Sequence, residues 1–234
     1  GKKLELGVEA MVLATGFRLY DPIQKREYGY GRYKDVLSAV DFEKMLKGGR
    51  LERPSDTKKP ESIVFVQCVG FRDVKANEYC SSFCCADALK NAVSIKKEHS
   101  EVEVTVMFMD IRTPSLNEQI YFEARDLDIK FVRSRPAEIF EREGKLVINF
   151  ENTLTGKSGS MEADLVVLSV GAVPNPETEA LSKMIGVPLS KSGFFKVVHE
   201  PLGTGVNGVF LAGASCGPKD VDYSVSQGGA AAAQ

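Results

Sequence analysis

Four of the chain's five cysteines fall in one stretch: Cys68, then Cys80 after eleven residues, then Cys84 after three more, with Cys85 adjacent to it. The thiolate is the metal-ligating and nucleophilic form of cysteine. Four of them arriving from a strand end, a loop and a helix start match the ligand set of a [4Fe-4S] cluster. Structural zinc also takes four thiolates, but usually from two short Cys-x-x-Cys knuckles, and the adjacent pair suits a larger cubane better than one tetrahedral ion. Two other readings stay open: a redox disulfide between Cys80 and Cys84, and buried cysteines with no chemistry at all. The odd cysteine count argues against a disulfide framework. Cys216 stands far from the others and reads as a small buried residue. His99 and His199 show no ligand spacing with each other or with an acid, and read as structural or exposed.

The elements that must position these thiols follow from hydrophobic pattern. Val8 to Ala14 reads as a buried strand turning on Thr15-Gly16, and an amphipathic helix over Ser38 to Leu46 stops at Gly48-Gly49. The proline-flanked run from Arg53-Pro54 to Lys59-Pro60 reads as a linker. Beyond it come a strand over Ser62 to Val66, the cysteine loop, and a helix from Cys84 to Glu98. A strand over Val102 to Met109, a helix over Ser115 to Leu127 and a strand over Ile129 to Val132 continue the alternation, which specifies a parallel α/β layer. Glu138 to Phe150 reads as an antiparallel hairpin turning at Glu143-Gly144, and a return strand runs from Asp164 to Gly171. The tail reads as a helix over Glu177 to Ile185, a strand over Gly208 to Ala212, and a small-residue helix over Tyr223 to Ala233.

Composition bounds the function. At 234 residues and 43% hydrophobic, the chain can bury one large core or two modest ones. Thirty basic against thirty-two acidic residues, scattered along the sequence, leave no footprint for nucleic acid or an anionic membrane. Apolar runs such as Leu165 to Val170 are strand-sized, and the N-terminus lacks an apolar signal core, so the expected compartment is the cytoplasm. The opening Gly-Lys-Lys runs without an initiator Met straight into a strand, which suggests a fragment of a longer protein.

Three segments, Leu13-Ala-Thr-Gly16, Asp164 through Val170-Gly171-Ala-Val-Pro174-Asn175, and Gly208-Val-Phe-Leu-Ala-Gly213 with its following helix, resemble the flavin-dependent disulfide reductases of the thioredoxin-reductase type. Within that group the pattern Gln67-Cys68-Val-Gly70, Arg72-Asp73, Tyr79-Cys80 and Cys84-Cys85 with Ala88-Leu-Lys90-Asn91 is similar to the A-type component of heterodisulfide reductase. So are Gly217-Pro-Lys-Asp220 and Ser224-Val-Ser-Gln227-Gly228.

The resemblance implies a two-dinucleotide-binding-domain α/β fold, with a partial FAD-binding domain at 1–60 and 171–234 and an inserted Rossmann-like domain at 61–170 carrying the cysteine loop. The N-terminal FAD half, with its Gly-x-Gly-x-x-Gly loop, would lie upstream, so a fragment would hold FAD poorly. It places Thr15, Gly16, Gly213, Ala214, Lys219, Asp220, Ser224 and Gln227 against FAD, and Lys90 and Glu43 near the flavin. Related reductases end the third segment in Gly-Asp, whereas this chain has Gly213-Ala214; a backbone contact or Asp220 is the expected substitute. Where a dinucleotide domain carries phosphate-binding glycines, only Gly70 precedes Cys80, so no NAD(P) site is expected in the insert.

The resulting expectation is an oxidoreductase component passing electrons between FAD and the [4Fe-4S] cluster, with flavin-based bifurcation among the family's capacities. The implied partners are B- and C-like subunits, a hydrogenase or ferredoxin, with a homodimer among the permitted assemblies. Its competitors are a pyridine-nucleotide-dependent disulfide reductase and a zinc-stabilised interaction module.

Overall fold

A computed structural model describes residues 4–114 and 117–234. Ser115 and Leu116, where the sequence pattern starts a helix, lie outside the described residues, as does the opening Gly-Lys-Lys. The chain divides into two compact units, one of residues 1–19 with 172–234 and one of residues 20–171. The first unit opens with β1 (Met11–Leu13) and β2 (Arg18–Leu19). The second runs through β3 (Val36–Ser38), α1 (Ala39–Lys47), β4 (Ser62–Val69), α2 (Cys84–Glu98), β5 (Glu103–Phe108), α3 (Glu118–Asp126) and β6 (Lys130–Arg133). It closes with β7 (Pro136–Arg142), β8 (Lys145–Asn152), β9 (Lys157–Ala163) and β10 (Leu165–Val170). The first unit resumes with β11 (Ala172–Val173), α4 (Thr178–Ile185), β12 (Val209–Leu211) and α5 (Val221–Ala232).

The second unit is built on a parallel sheet in the order β3-β10-β4-β5-β6. Its two central strands are unbroken apolar runs apart from Gln67 and Ser169, buried from Ile63 to Val69 and from Leu165 to Val170, as strands covered on both faces must be. Phe65 on β4 meets Phe42 of α1 edge-on at 5.6 Å, and Leu89, Ala92 and Val93 of α2 complete the same core. The Ser38 side chain caps α1 by accepting from the Asp41 amide at 3.2 Å, and Gly48 ends the helix as its sequence requires. The strand-helix alternation therefore puts the β4 end and the α2 start together, where a parallel sheet places its ligands.

Three expectations change. Residues 20–60 group with the sheet of the second unit, whereas the sequence pattern joins them to the first. The cause is β3, too short to announce itself, which pairs in parallel with β10 from Val36↔Val166 to Ser38↔Leu168. The apparent linker is also pinned: Arg53, 15% exposed, bridges Asp35 and Asp164 at 3.4 Å each, and the Ser55 amide donates to Asp35 at 2.9 Å. The antiparallel hairpin gains a third strand, β9, paired along β8 from Leu146↔Ala163 to Asn152↔Lys157. Its Lys-Ser-Gly-Ser sequence has too little hydrophobicity to signal a strand.

In the first unit the expected buried strand over Val8 to Ala14 contracts to three residues, with Leu13 buried but Met11 and Val12 exposed, because β1 pairs among described strands with β12 alone. Helix α5 starts two residues earlier than the small-residue pattern suggests, because Asp220 caps it. Among the described residues, no helix is long and apolar enough to cross a membrane.

Candidate cluster-binding site

Cys68 owes its direction to a bulge. Val66 pairs with Leu168 and Val69 with Val170, so Gln67 and Cys68 together oppose Ser169 alone. Cys68 has φ 58°, in the left-handed region that costs a non-glycine residue energy and turns its side chain out of the ladder's alternation. The loop beyond folds back on itself. The Phe71 amide donates to the Cys68 carbonyl at 3.1 Å, Asn77 to Gly70 at 3.1 Å, and Arg72 to Tyr79 at 3.2 Å.

Phe71 is held edge-on between Tyr20 at 5.8 Å and Tyr79 at 5.5 Å. Gly70, at φ 78°, is obligatory, since a Cβ there would meet the Tyr20 ring at 2.3 Å. Asp73 anchors the loop tip through Lys25 Nζ at 2.5 Å and Arg135 Nη2 at 2.7 Å. The hydrogen bond from Lys25 holds the Asp73 carboxyl well below the usual carboxylate range, with Arg135 adding to it.

The other ligand candidates come from the loop's return. The Ser82 amide donates to Cys80 Sγ at 3.4 Å. Helix α2 then begins on Cys84 with no side-chain cap, so its positive dipole end falls on the Cys84-Cys85 pair. Cys68, Cys84 and Cys85 are buried, while Cys80 is half-buried beside an open cleft lined by Ser82, Arg112, Thr113 and Pro114.

All four thiols converge electrostatically: Cys68 feels Cys85 and Cys80, and Cys84 feels Cys85, Cys68 and Cys80. Burial pushes the Cys68 thiol up to about 11, against the pull of Arg72. Cys84 donates to Cys85, which holds the Cys84 proton tightly. The same bond, helped by the Arg112 amide and the Arg112 and Arg72 charges, brings Cys85 down to about 7. A thiol that ionises near neutrality beside two guanidiniums is prepared for ligation.

Four cysteine thiols are a donor set that an iron-sulfur cubane takes. Among the described residues no three His, Cys, Asp or Glu side chains close on a point where one ion could be held. Thiolates on one zinc must converge to about 2.3 Å from its centre, whereas cubane ligands stand at separate corners. Arg72 Nη1, Ser81 Oγ and both polar atoms of the Gln67 amide are buried and unpartnered, and all belong to residues next to or between the cysteines. Buried donors in such a position suit sulfur acceptors.

The remaining expected residues separate by unit. Lys90 and Glu43 do meet, at 2.9 Å, with Asp87 taking a second bond from Lys90 at 3.1 Å. The Lys90 hydrogen bond holds the Glu43 carboxyl below its ordinary range. In the first unit, β1 and β12 lie side by side, so Thr15-Gly16 and Gly213 follow neighbouring strand ends. The Thr15 carbonyl accepts from Asn175 Nδ2 at 2.7 Å, and Gly16, at φ 69°, has open space where a Cβ would point.

Ala214 is buried, and Lys219 lies over the Tyr223 ring at 5.8 Å. Asp220 accepts from the Tyr223 amide at 2.8 Å, and Ser224 Oγ returns a bond to the Asp220 carbonyl at 2.7 Å. Gln227 Oε1 accepts from Cys216 Sγ at 3.8 Å, and Cys216, half-buried, also donates to Gly213 at 3.3 Å. Sequence reasoning passed over Arg72, Asp73 and Arg112 as functional residues. Arg72-Asp73 stood within the cysteine motif, but nothing local revealed that Lys25, Arg135 and Asp110 would hold them.

A parallel layer with a strand-helix site, set between the two sequence halves of another α/β unit, defines the thioredoxin-reductase-type architecture. The thioredoxin reductase of T. acidophilum superposes with a TM-score of 0.63 at 19% identity, covering 96% of this chain and 64% of that one. The chain belongs to the pyridine nucleotide-disulphide oxidoreductase family, whose model matches residues 80–228. It is 40% identical over 244 residues to the second iron-sulfur A subunit of CoB--CoM heterodisulfide reductase from Methanopyrus kandleri, covering 99% of this chain and 37% of that protein. It is also 40% identical over 245 residues to the A subunit of the H(2):CoB-CoM heterodisulfide,ferredoxin reductase of Methanothermobacter thermautotrophicus, covering 100% and 37%. The chain thus spans about a third of the length of the curated relatives it matches.

Proposed function

We propose that this chain is the electron-transfer segment of a protein like the A component of heterodisulfide reductase, holding a [4Fe-4S] cluster on Cys68, Cys80, Cys84 and Cys85 and exchanging electrons with FAD. The placement of four cysteines on one strand end, its loop and the start of α2, each close enough for its charge to act on the others, supports the reading. A bound cluster would supply one-electron transfer. The chain's own residues would do the rest: the bulge aims Cys68, Asp73 fixes the loop, and the α2 terminus with Arg72 and Arg112 offsets thiolate charge. Thr15, Gly16, and the stretch from Gly213 to Gln227 would carry the FAD contacts, mainly through backbone, since Asp220 is committed to its helix. In this reading 1–19 and 172–234 are the FAD-domain portion, and the cysteine loop replaces a pyrophosphate cradle, so NAD(P)H would not reduce the flavin directly.

For the whole protein, the relatives' names carry H(2), ferredoxin and CoB-CoM heterodisulfide, which supports a place in a redox complex with ferredoxin among its partners. B- and C-like subunits, a hydrogenase and bifurcation at the flavin follow from the family resemblance and are the finer points to test. The deciding experiment is anaerobic purification of the full-length protein with iron, sulfide, zinc and flavin analysis. About four iron and four sulfide per site with flavin is the expected result. Zinc without sulfide at these cysteines, or rapid stoichiometric flavin bleaching by NADPH without partners, would overturn it.

A further inference from the structure

We propose that Arg72 sets the reduction potential of the group held by the four cysteines, by donating from Nη1 to the Cys68 sulfur and opposing the ligands' negative charge. The inference rests on the cluster reading above. Arg72 sits on the loop between Cys68 and Cys80, with φ 53° and its amide tied to Tyr79 at 3.2 Å, so its side chain leaves the backbone in a fixed direction. One arm of the guanidinium is occupied: Nη2 donates to Asp110 Oδ2 at 2.8 Å. The other arm, Nη1, is buried and meets no partner with full hydrogen-bond geometry, while the Cys68 thiol stands near enough for an Arg72 hydrogen bond to pull its pKa down.

The same side chain lies beside Cys68 and Cys80. A guanidinium serving only to close the loop would face its carboxylate with both arms, yet Asp110 is 47% exposed and also faces Arg133 at 3.8 Å. An exposed pair of that kind holds little by itself. A buried donor without an acceptor is costly, and arginine's rigid fork lets Asp110 aim the second arm. Hydrogen bonds and positive charge at ligand sulfurs favour the more reduced, more negative state, so both effects raise the potential.

The test uses the full-length protein, prepared anaerobically, with Arg72→Lys, Arg72→Gln and Arg72→Met variants. Iron and sulfide are measured first, then the midpoint by mediated titration followed by electron paramagnetic resonance of the reduced form. Arg72→Met is expected to lower the potential enough to shift the oxidised-to-reduced ratio by about tenfold or more, at unchanged iron content. Arg72→Lys should recover part of that shift, and Arg72→Gln less. Equal potentials across equally loaded variants would overturn the role of Arg72 while leaving the cluster reading intact. Wild-type protein without iron and sulfide would instead overturn the cluster reading itself. If Arg72→Met fails to load, the Lys and Gln variants decide. Loss of the cluster in all three would make Arg72 a loop-assembly residue and defeat the proposal.

Discussion

The cysteine loop and the stretch from Gly213 to Gln227 are built alike, each a strand end leading to a helix start, but they are finished in opposite ways. At the second, side chains close the helix: Asp220 caps α5, Ser224 bonds back to it, and the Cys216 thiol faces the Gly213 carbonyl and Gln227 Oε1 as hydrogen-bond acceptors. At the first, α2 has no side-chain cap, two cysteines stand at its start, and Arg72, Ser81 and Gln67 keep buried atoms unpartnered. A self-satisfied terminus can offer a ligand backbone and shape. An unsatisfied one is complete only when something else supplies acceptors.

The largest expected effect tests that contrast directly. Cys84→Ser in the full-length protein should drop iron from about four per site to less than half, with flavin content unchanged; joint loss of both would erase the distinction. Gly70→Ala comes next. It forces a left-handed φ on a residue with a Cβ and drives that atom into Tyr20 at 2.3 Å, so a loss of more than about 2 kcal/mol by chemical denaturation is expected. Tyr20→Ala in the same background should return part of it.

The titration behaviour of the cluster-free protein is a finer probe. Ultraviolet thiolate absorbance should show one thiol ionising near pH 7, because Cys84 and the Arg112 and Arg72 charges stabilise the Cys85 anion, and another holding its proton to about 11, because Cys68 is buried. Below the Cys85 transition protons compete with metal, so iron uptake should slow as the pH falls through 7. Uptake independent of pH in that range would remove Cys85 from the prepared set. The smallest effect belongs to the closed terminus: Asp220→Ala should cost about 1 kcal/mol as a lost N-cap and leave iron content as it was. An iron loss in Asp220→Ala would contradict the contrast.

Much of this was legible in the sequence. The strand start at Ser62 and the helix from Cys84 to Glu98 could be read to the residue, because a buried parallel strand and an amphipathic helix leave strong and different periodicities, but the strand continues past the expected Val66 to Val69 and takes Cys68 into the sheet. What escaped depends on distant partners. Val36 to Ser38 becomes a strand only because β10 is there to pair with it, and Arg53 joins the second unit through Asp35 and Asp164. The bulge at Gln67-Cys68 is invisible locally for the same reason: it is a mismatch between two strands and a property of neither alone. The relation of Thr15-Gly16 to Gly213 was readable through the resemblance, but the service of Asp220 to its own helix was hidden until the start of α5 was fixed.

That mismatch has a consequence at the level of the gene. Deleting the codon for position 68 would let β4 and β10 zip in uninterrupted register, yielding a tidier sheet and a molecule one ligand short. Adding or removing a residue at the turns joining β7, β8 and β9, where Gly144 and Gly156 have open space around them, would leave the thiols untouched. Length variation among descendants of this sequence should therefore collect in that antiparallel trio, and the strand before the cysteine loop should keep its count.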